Sequence, residues 1–336
     1  MNLLIFSISK VGLSTFSYRI KQTKKILFLN KICRMKILCL DGGGSKGVYT
    51  LGVLREFEAL IKTPLCEFFD IVYGTSTGSI IAAMIGLGYT VDEIEKKYFS
   101  LIPCIMGKSK ARNKSAELKK GLEEFFGDLR FEDFKTGVSI VATNFESEKP
   151  FIFKRNAEQA YKLKSTFKPG FGATIATAVQ ASCAAYPIFE KVIVQTENQG
   201  NVLAVDGGFI ANNPTLFAIT DATKSLNIPP EDIAILTIGT GNFIETPIDW
   251  KSKLFKSMWF VQLFEKMLKS NGNTTEILIK LLFGNIPSVR INDTFNQPQY
   301  GTNMVERNAS KLKLLHQLGR DSFGKHEDQV KELFKI

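Results

Sequence analysis

The sequence predicts an α/β fold of three layers, α/β/α, with a mostly parallel central sheet and a C-terminal helical region. Three observations carry that prediction. Short apolar runs recur along the chain, in the manner of strands buried on both faces. Longer segments with apolar residues near a 3.6-residue period alternate with them, as helices packed on a sheet require. Two glycine-rich turns, opening at Gly42 and Gly74, each stand between an apolar run and a helical pattern. That strand–turn–helix order is the signature of a layered parallel sheet.

The elements follow in order. Lys36-Ile37-Leu38-Cys39-Leu40 reads as the first buried strand, directly after Met35. Val48 to Ile61 has apolar residues at Val48, Leu51, Val53, Leu54, Phe57, Leu60 and Ile61, a helical spacing that Pro64 ends. Phe68 to Tyr73 reads as the next strand and Ile80 to Leu87 as the next helix. Residues 90–126 read as helical, with solvated basic faces around 107–120. Val138–Thr143 and Phe151–Phe153 are expected strands, and Ala173–Ala185 is a helix of small residues ending at Pro187. Val202–Val205 and Ile233–Ile238 complete the strands, the latter running into Gly239-Thr240-Gly241. From Trp250 the texture changes to an aromatic-rich helical stretch fringed by Lys251, Lys253, Lys256, Lys266 and Lys269, then a second helix at about Ile277 to Phe283. The first stretch has two readings, a helix lying in a lipid interface or one packed on the sheet. The expected organisation is a basic N-terminal extension over 1–34, a domain over 35–248, and a C-terminal helical region over 249–336 that packs on the domain or covers its site.

Charge and cysteine usage narrow the function classes. The net charge is +10, from 43 basic and 33 acidic residues. Eight of the bases and none of the acids lie in residues 1–36, so the remainder holds 35 basic against 33 acidic residues. The body is nearly neutral, and no nucleic-acid partner is expected. The extension lacks a continuous apolar region and a cleavage site, and is too polar to span a bilayer. Five scattered cysteines with no C-x-x-C imply neither a disulfide framework nor a zinc site. A reducing, cytoplasmic setting with peripheral membrane contact is expected; a secreted effector or an organelle-targeted protein stays open. His316 and His326 are the two histidines, and both are expected to face solvent in a Lys-rich tail.

The second turn, Gly74-Thr75-Ser76-Thr77-Gly78, has the G-x-S-x-G form. Gly74 and Gly78 remove the Cβ atoms that would collide as strand turns into helix, and Ser76 Oγ is lifted above the strand edge. The first turn, Asp41-Gly42-Gly43-Gly44-Ser45-Lys46-Gly47, lets backbone N–H groups converge on an anion. For acyl transfer that anion is a tetrahedral oxyanion. The same letters match G-x-G-x-x-G at Gly42, Gly44 and Gly47, so a nucleotide-binding module remains an alternative. A P-loop is excluded, because Gly47 follows Lys46 where Ser or Thr is required. A serine nucleophile needs a base, and no histidine lies in the body of the domain. Asp206, in Val205-Asp206-Gly207-Gly208 at a strand end, is the candidate carboxylate.

At this point the chain resembles the patatin-like phospholipase family over about residues 36–245. The resemblance rests on the two glycine turns, Asp206-Gly207-Gly208-Phe209, Ala181-Ser182-Cys183-Ala184-Ala185-Tyr186-Pro187-Ile188-Phe189, Asn212-Asn213-Pro214 and Gly239-Thr240-Gly241, in that family's set. It implies a patatin-like fold and a Ser–Asp dyad of Ser76 and Asp206. It implies an oxyanion hole from the amides around Gly42, Gly43 and Gly44, to which the Thr77 amide is added on geometric grounds. Lys46 holds the place of the family's Arg or Lys, with Gly47, Gly74, Gly78, Gly207 and Gly208 supporting the motifs. The resemblance implies a phospholipid or other acyl-lipid substrate and chemistry without cofactor or metal. An acyltransferase using the same dyad is the other alternative.

Overall fold

Residues 34–155, 171–197, 200–243 and 259–336 are described by the computed structural model. The basic extension over 1–33 and positions 251–258 of the aromatic-basic stretch lie outside the described residues. The strands are β1 (Met35–Leu40), β2 (Ile71–Thr75), β3 (Gly137–Asn144), β4 (Lys149–Lys154), β5 (Val192–Thr196), β6 (Gly200–Asp206), β7 (Ile233–Ile238), β8 (Asn242–Phe243), β9 (Ser288–Ile291) and β10 (Thr294–Phe295). The helices are α1 (Gly47–Ile61), α2 (Leu65–Phe68), α3 (Thr77–Leu87), α4 (Val91–Met106), α5 (Ala111–Phe126), α6 (Ile175–Ser182), α7 (Gly208–Ala211), α8 (Thr215–Thr220), α9 (Trp259–Leu282) and α10 (Ala309–Phe334).

The central sheet runs β5-β6-β3-β2-β1-β7-β9, with β4 on the free side of β3. Its middle, β3-β2-β1-β7-β9, is parallel, and β4, β5 and β6 are antiparallel additions. Side chains alternate across β1. Leu38 and Leu40 enter the larger core with α1, α3, α4, α6 and α10, while Ile37 and Cys39 enter a second core with Ala218, Ile219 and Ile279. These are the two outer layers that continuous apolar strands demand. The layered α/β architecture is therefore as the sequence indicates.

Four local readings change. Residues Leu65–Phe68 are helical, and β2 starts only at Ile71, because Pro64 supplies a helix start that the apolar run conceals. The two helices expected at the C-terminal region are one helix, α9. Asn271-Gly272-Asn273 reads as a breaker, yet Asn271 accepts the Asn212 N–H at 2.9 Å and donates to the Ile210 carbonyl at 3.1 Å. Those contacts override weak local propensity. The polar tail is α10, whose Leu312, Leu315, Leu318, Phe323 and Val330 are buried against α1. His316 is consequently not a solvent-facing residue. Its Nε2 lies 2.6 Å from Glu95 Oε1 with a side chain 15% exposed, and His326 is half-buried as well.

The α1–α10 contact is close because glycines meet backbone. A Cβ on Gly319 would lie 2.1 Å from the Tyr49 carbonyl oxygen, and one on Gly52 would lie 2.1 Å from that of His316. Gly319→Ala is expected to lower stability by about 2–3 kcal/mol, since two helices must separate to admit one methyl. Urea denaturation measures it; an unchanged midpoint removes this account of the contact.

Candidate active site

Ser76 sits between β2 and α3 with φ 52° and ψ −125°, a strained conformation for a residue with a side chain. The glycines around it make the turn possible. A Cβ on Gly74 would lie 2.4 Å from the Gly78 carbonyl oxygen, and one on Gly78 would lie 2.4 Å from that of Leu40. The turn is braced by Ser182 at the end of α6. Its Oγ accepts the Ser76 N–H at 2.8 Å and donates to the Val141 carbonyl at 2.5 Å. Ser79 Oγ donates to the Ser76 carbonyl at 2.6 Å.

Asp206 reaches Ser76 through the register of β3. Parallel β2 climbs one edge of β3 until Thr75 stands opposite Val141. Antiparallel β6 descends the same edge until Asp206 stands opposite Ala142, the next position, because β4 occupies the other edge. The two strands end nose to nose. Ser76 Oγ donates to Asp206 Oδ2 at 2.7 Å, and Gly208 N–H donates to Oδ1 at 2.7 Å. Gly207 is needed where a Cβ would meet the Val141 carbonyl oxygen at 2.1 Å. Asp206 is 1% exposed. Burial pushes its carboxyl up to about 7, against the opposing effect of the Gly208 and Ser76 hydrogen bonds. A carboxylate at that value accepts a proton near neutral pH.

The first glycine loop packs on the same spot. A Cβ on Gly42 would lie 3.0 Å from Ser76 Cβ. The Gly42 N–H donates to the Asn212 carbonyl at 3.1 Å, so this amide is already engaged, in contrast to the open donor expected. Gly43 faces Thr240, and Gly44, at φ 60°, faces the Met304 carbonyl. Tyr98 donates to the Gly44 carbonyl at 2.8 Å and lies over Gly47. Protein atoms thus stand where a Cβ on Gly42, Gly44 or Gly47 would lie. Thr77, buried, opens α3 beside Ser76. Lys46 reaches α9. Its Nζ is buried, 2.9 Å from Glu265 Oε1 and 3.4 Å from the Gly241 carbonyl.

Glu265 belongs to α9, which roofs the site. Its N-terminal half packs Phe264 and Leu268 into the first core and its C-terminal half packs Ile279 into the second. The helix therefore crosses the carboxyl edge of the sheet from face to face. Leu268 lies where a Cβ on Gly208 would be, Phe264 meets Phe209 with centroids 5.1 Å apart, and Asn271 ties down Asn212 and Ile210. Of the expected aromatic-basic stretch, Phe264 thus packs inward, while Leu263 and Met267 are exposed. A cavity of about 30 Å³ is lined by Gly42, Gly43, Lys46, Asn212 and Glu265. Ser76 is 6% exposed. Leu268 and Asn271 of α9 lie against Gly208 and Asn212 beside it.

Sequence reasoning passed over Ser182, Asn212, Asn271 and Arg290. Ser182 and Asn212 lie inside motifs that carried the resemblance, so their signal was present. Arg290, on β9, grips Asp41 at the head of the glycine loop with distances of 3.2 and 2.6 Å. Nothing local announces it, since 249 residues separate the pair.

The profile of the family described as patatin-like phospholipase matches residues 38–219. A cUMP-AMP-activated phospholipase from Escherichia coli is 46% identical over 303 residues, 90% of this chain and 94% of its own length. A cGAMP-activated phospholipase from Pseudomonas aeruginosa is 27% identical over 74% of this chain and 75% of its own length. The calcium-independent phospholipase A2-gamma of Homo sapiens is 28% identical over 83% of this chain, which spans 39% of that longer protein. Among the described residues no helix is long and apolar enough to cross a membrane. With nearly all of one relative matched at this identity and the family profile covering the glycine loop, the serine elbow and the aspartate strand, the chain belongs to the patatin-like phospholipases and is a serine hydrolase.

Proposed function

We propose that the chain hydrolyses fatty-acyl esters of phospholipids or lysophospholipids through Ser76 and Asp206, and that a cyclic nucleotide switches it on. Ser76 Oγ attacks the ester carbonyl as its proton passes to Asp206 Oδ2. The oxyanion is received by the Gly43 and Gly44 amides, joined by those of Thr77 and of Gly42 once the latter is released from Asn212. Collapse expels the lysophospholipid alcohol, which takes the proton from Asp206. Water then attacks the acyl-enzyme, gives its proton to Asp206, and the fatty acid leaves as the proton returns to Ser76. The single observation that carries this reading is the 2.7 Å contact between Ser76 Oγ and Asp206 Oδ2 at a strained turn. The nucleotide part is supported by two relatives, a cUMP-AMP-activated and a cGAMP-activated phospholipase, and by a dyad largely buried beside α9.

A fluorophosphonate probe is expected to label Ser76, as located by peptide mass spectrometry; a tag on another serine excludes the mechanism. Hydrolysis of a short-chain nitrophenyl ester is expected to fall about tenfold per pH unit below pH 7, where Asp206 becomes protonated and cannot act as base. A profile flat down to pH 5 would exclude Asp206 from that role.

A further inference from the structure

A second cavity, of about 440 Å³, lies between the C-terminal half of α9 and β9. That volume is within the usual range for small-molecule sites, and the mechanism above makes no use of it. Its floor is polar: Asn213, Thr215 at the start of α8, and Thr237 of β7. Asn213 is 1% exposed. Its Oδ1 accepts from Thr215, while its Nδ2 has no hydrogen-bond partner among the described residues. A buried donor left unmatched is costly, and this one belongs to a residue that lines the cavity. One wall is apolar, with Ile279, Phe283 and Ile286. Two cations meet at it: Arg290, and Lys280, whose side chain is 72% exposed at the mouth. An apolar wall, a polar floor and a cationic edge form the set that recognises a base attached to a phosphodiester.

Resting on the nucleotide-activation reading, we propose that this cavity binds the activating nucleotide, with its phosphates on Arg290 and Lys280, and that binding releases α9 from the dyad. Arg290 and Glu276 carry the linkage. Arg290 Nε lies 3.1 Å from Glu276 Oε2 of α9, while its Nη1 and Nη2 hold Asp41, beside Gly42. Lys280 lies 2.7 Å from Glu276 Oε1. Glu276 is thus the pin between α9 and β9, and both of its cations face the cavity. A phosphate entering there competes with Glu276 for them. The freed helix is the one that carries Glu265, Leu268 and Asn271 over Ser76 and Asp206, and Arg290 passes the same event to the oxyanion loop.

The test uses the full chain, calorimetric titration with cUMP-AMP, and the rate of Ser76 labelling by fluorophosphonate with and without it. Wild type is expected to bind and to label at least about tenfold faster when loaded. Lys280→Glu, which inverts the charge at the mouth, and Ser288→Trp, which fills the cavity from exposed β9, are each expected to raise Kd about tenfold or more. Thermal melts establish that each variant is folded, and either one suffices. If wild type responds and the folded variants bind as tightly as wild type, the cavity is overturned as the site while nucleotide activation stands. If wild type neither binds nor responds, the activation reading falls and this proposal with it, leaving the hydrolase chemistry to the labelling result. Phosphatidylglycerol vesicles form the last arm. Binding of vesicles but not of cUMP-AMP through Lys280 would make the cavity a lipid headgroup site and overturn the proposal.

Discussion

Asp206→Asn is expected to abolish ester hydrolysis and at the same time to stabilise the fold. The amide cannot take the Ser76 proton, and loss of a general base of this kind costs on the order of a thousand- to ten-thousand-fold in turnover. The stability effect follows from where the carboxyl sits. Burial raises it from an ordinary value near 3.8 to about 7, so the folded state binds a proton that the unfolded state has already lost over that interval. Stability attached to this group is fully present below pH 4 and is lost as pH rises through 7. Asparagine carries no such penalty and keeps an acceptor for the Gly208 N–H. The variant's advantage should therefore grow from pH 4 to pH 7 and level off above it, reaching on the order of a few kcal/mol. Calorimetric melts at pH 5 and pH 8 beside an ester assay check both halves. An inactive variant no more stable than wild type at pH 8 would show that water reaches the carboxylate, contrary to its burial under α9.

Ser76→Ala is expected to remove turnover by a factor on the order of ten thousand or more, together with fluorophosphonate labelling, while leaving a folded protein. The comparison with Ser76→Gly isolates the turn. Both variants lack the hydroxyl and leave Asp206 without the same donor, so their difference reports the backbone alone. At φ 52° and ψ −125°, alanine bears a steric cost that glycine does not, and the glycine variant should be more stable by about 1 kcal/mol. Urea melts of the pair measure it. Equal midpoints would mean that the elbow stores no strain and that the turn is held by Ser182 and Ser79 at no backbone expense.

The parallel strands and the two glycine turns were legible because their causes are local. A strand buried on both faces must be continuously apolar, and Ile37 to Leu40 or Ile233 to Ile238 can hardly be read otherwise. A turn in which a Cβ would strike a carbonyl must be glycine, as at Gly74 and Gly78. Ser76 and Asp206 were legible for the same reason, each standing where an apolar run stops at glycines. The helix boundaries failed where distant contacts outweigh local preference: Asn271 holds α9 through a breaker, and Gly319 draws a Lys-rich segment onto Tyr49.

By itself, then, the sequence determined the layered sheet, the serine at its glycine turn and the aspartate at its strand end, since each is written in a few adjacent residues and the geometry those residues can tolerate. Only the tertiary structure decided that Ser76 and Asp206 lie buried beside α9, that Lys46 pairs with Glu265 of that helix, and that Arg290 joins Asp41 to Glu276. These are charge pairs and packing contacts between segments more than two hundred residues apart, or between one helix and the far edge of the sheet. No local pattern encodes them, because their energy comes from desolvating groups that meet only once the chain has closed.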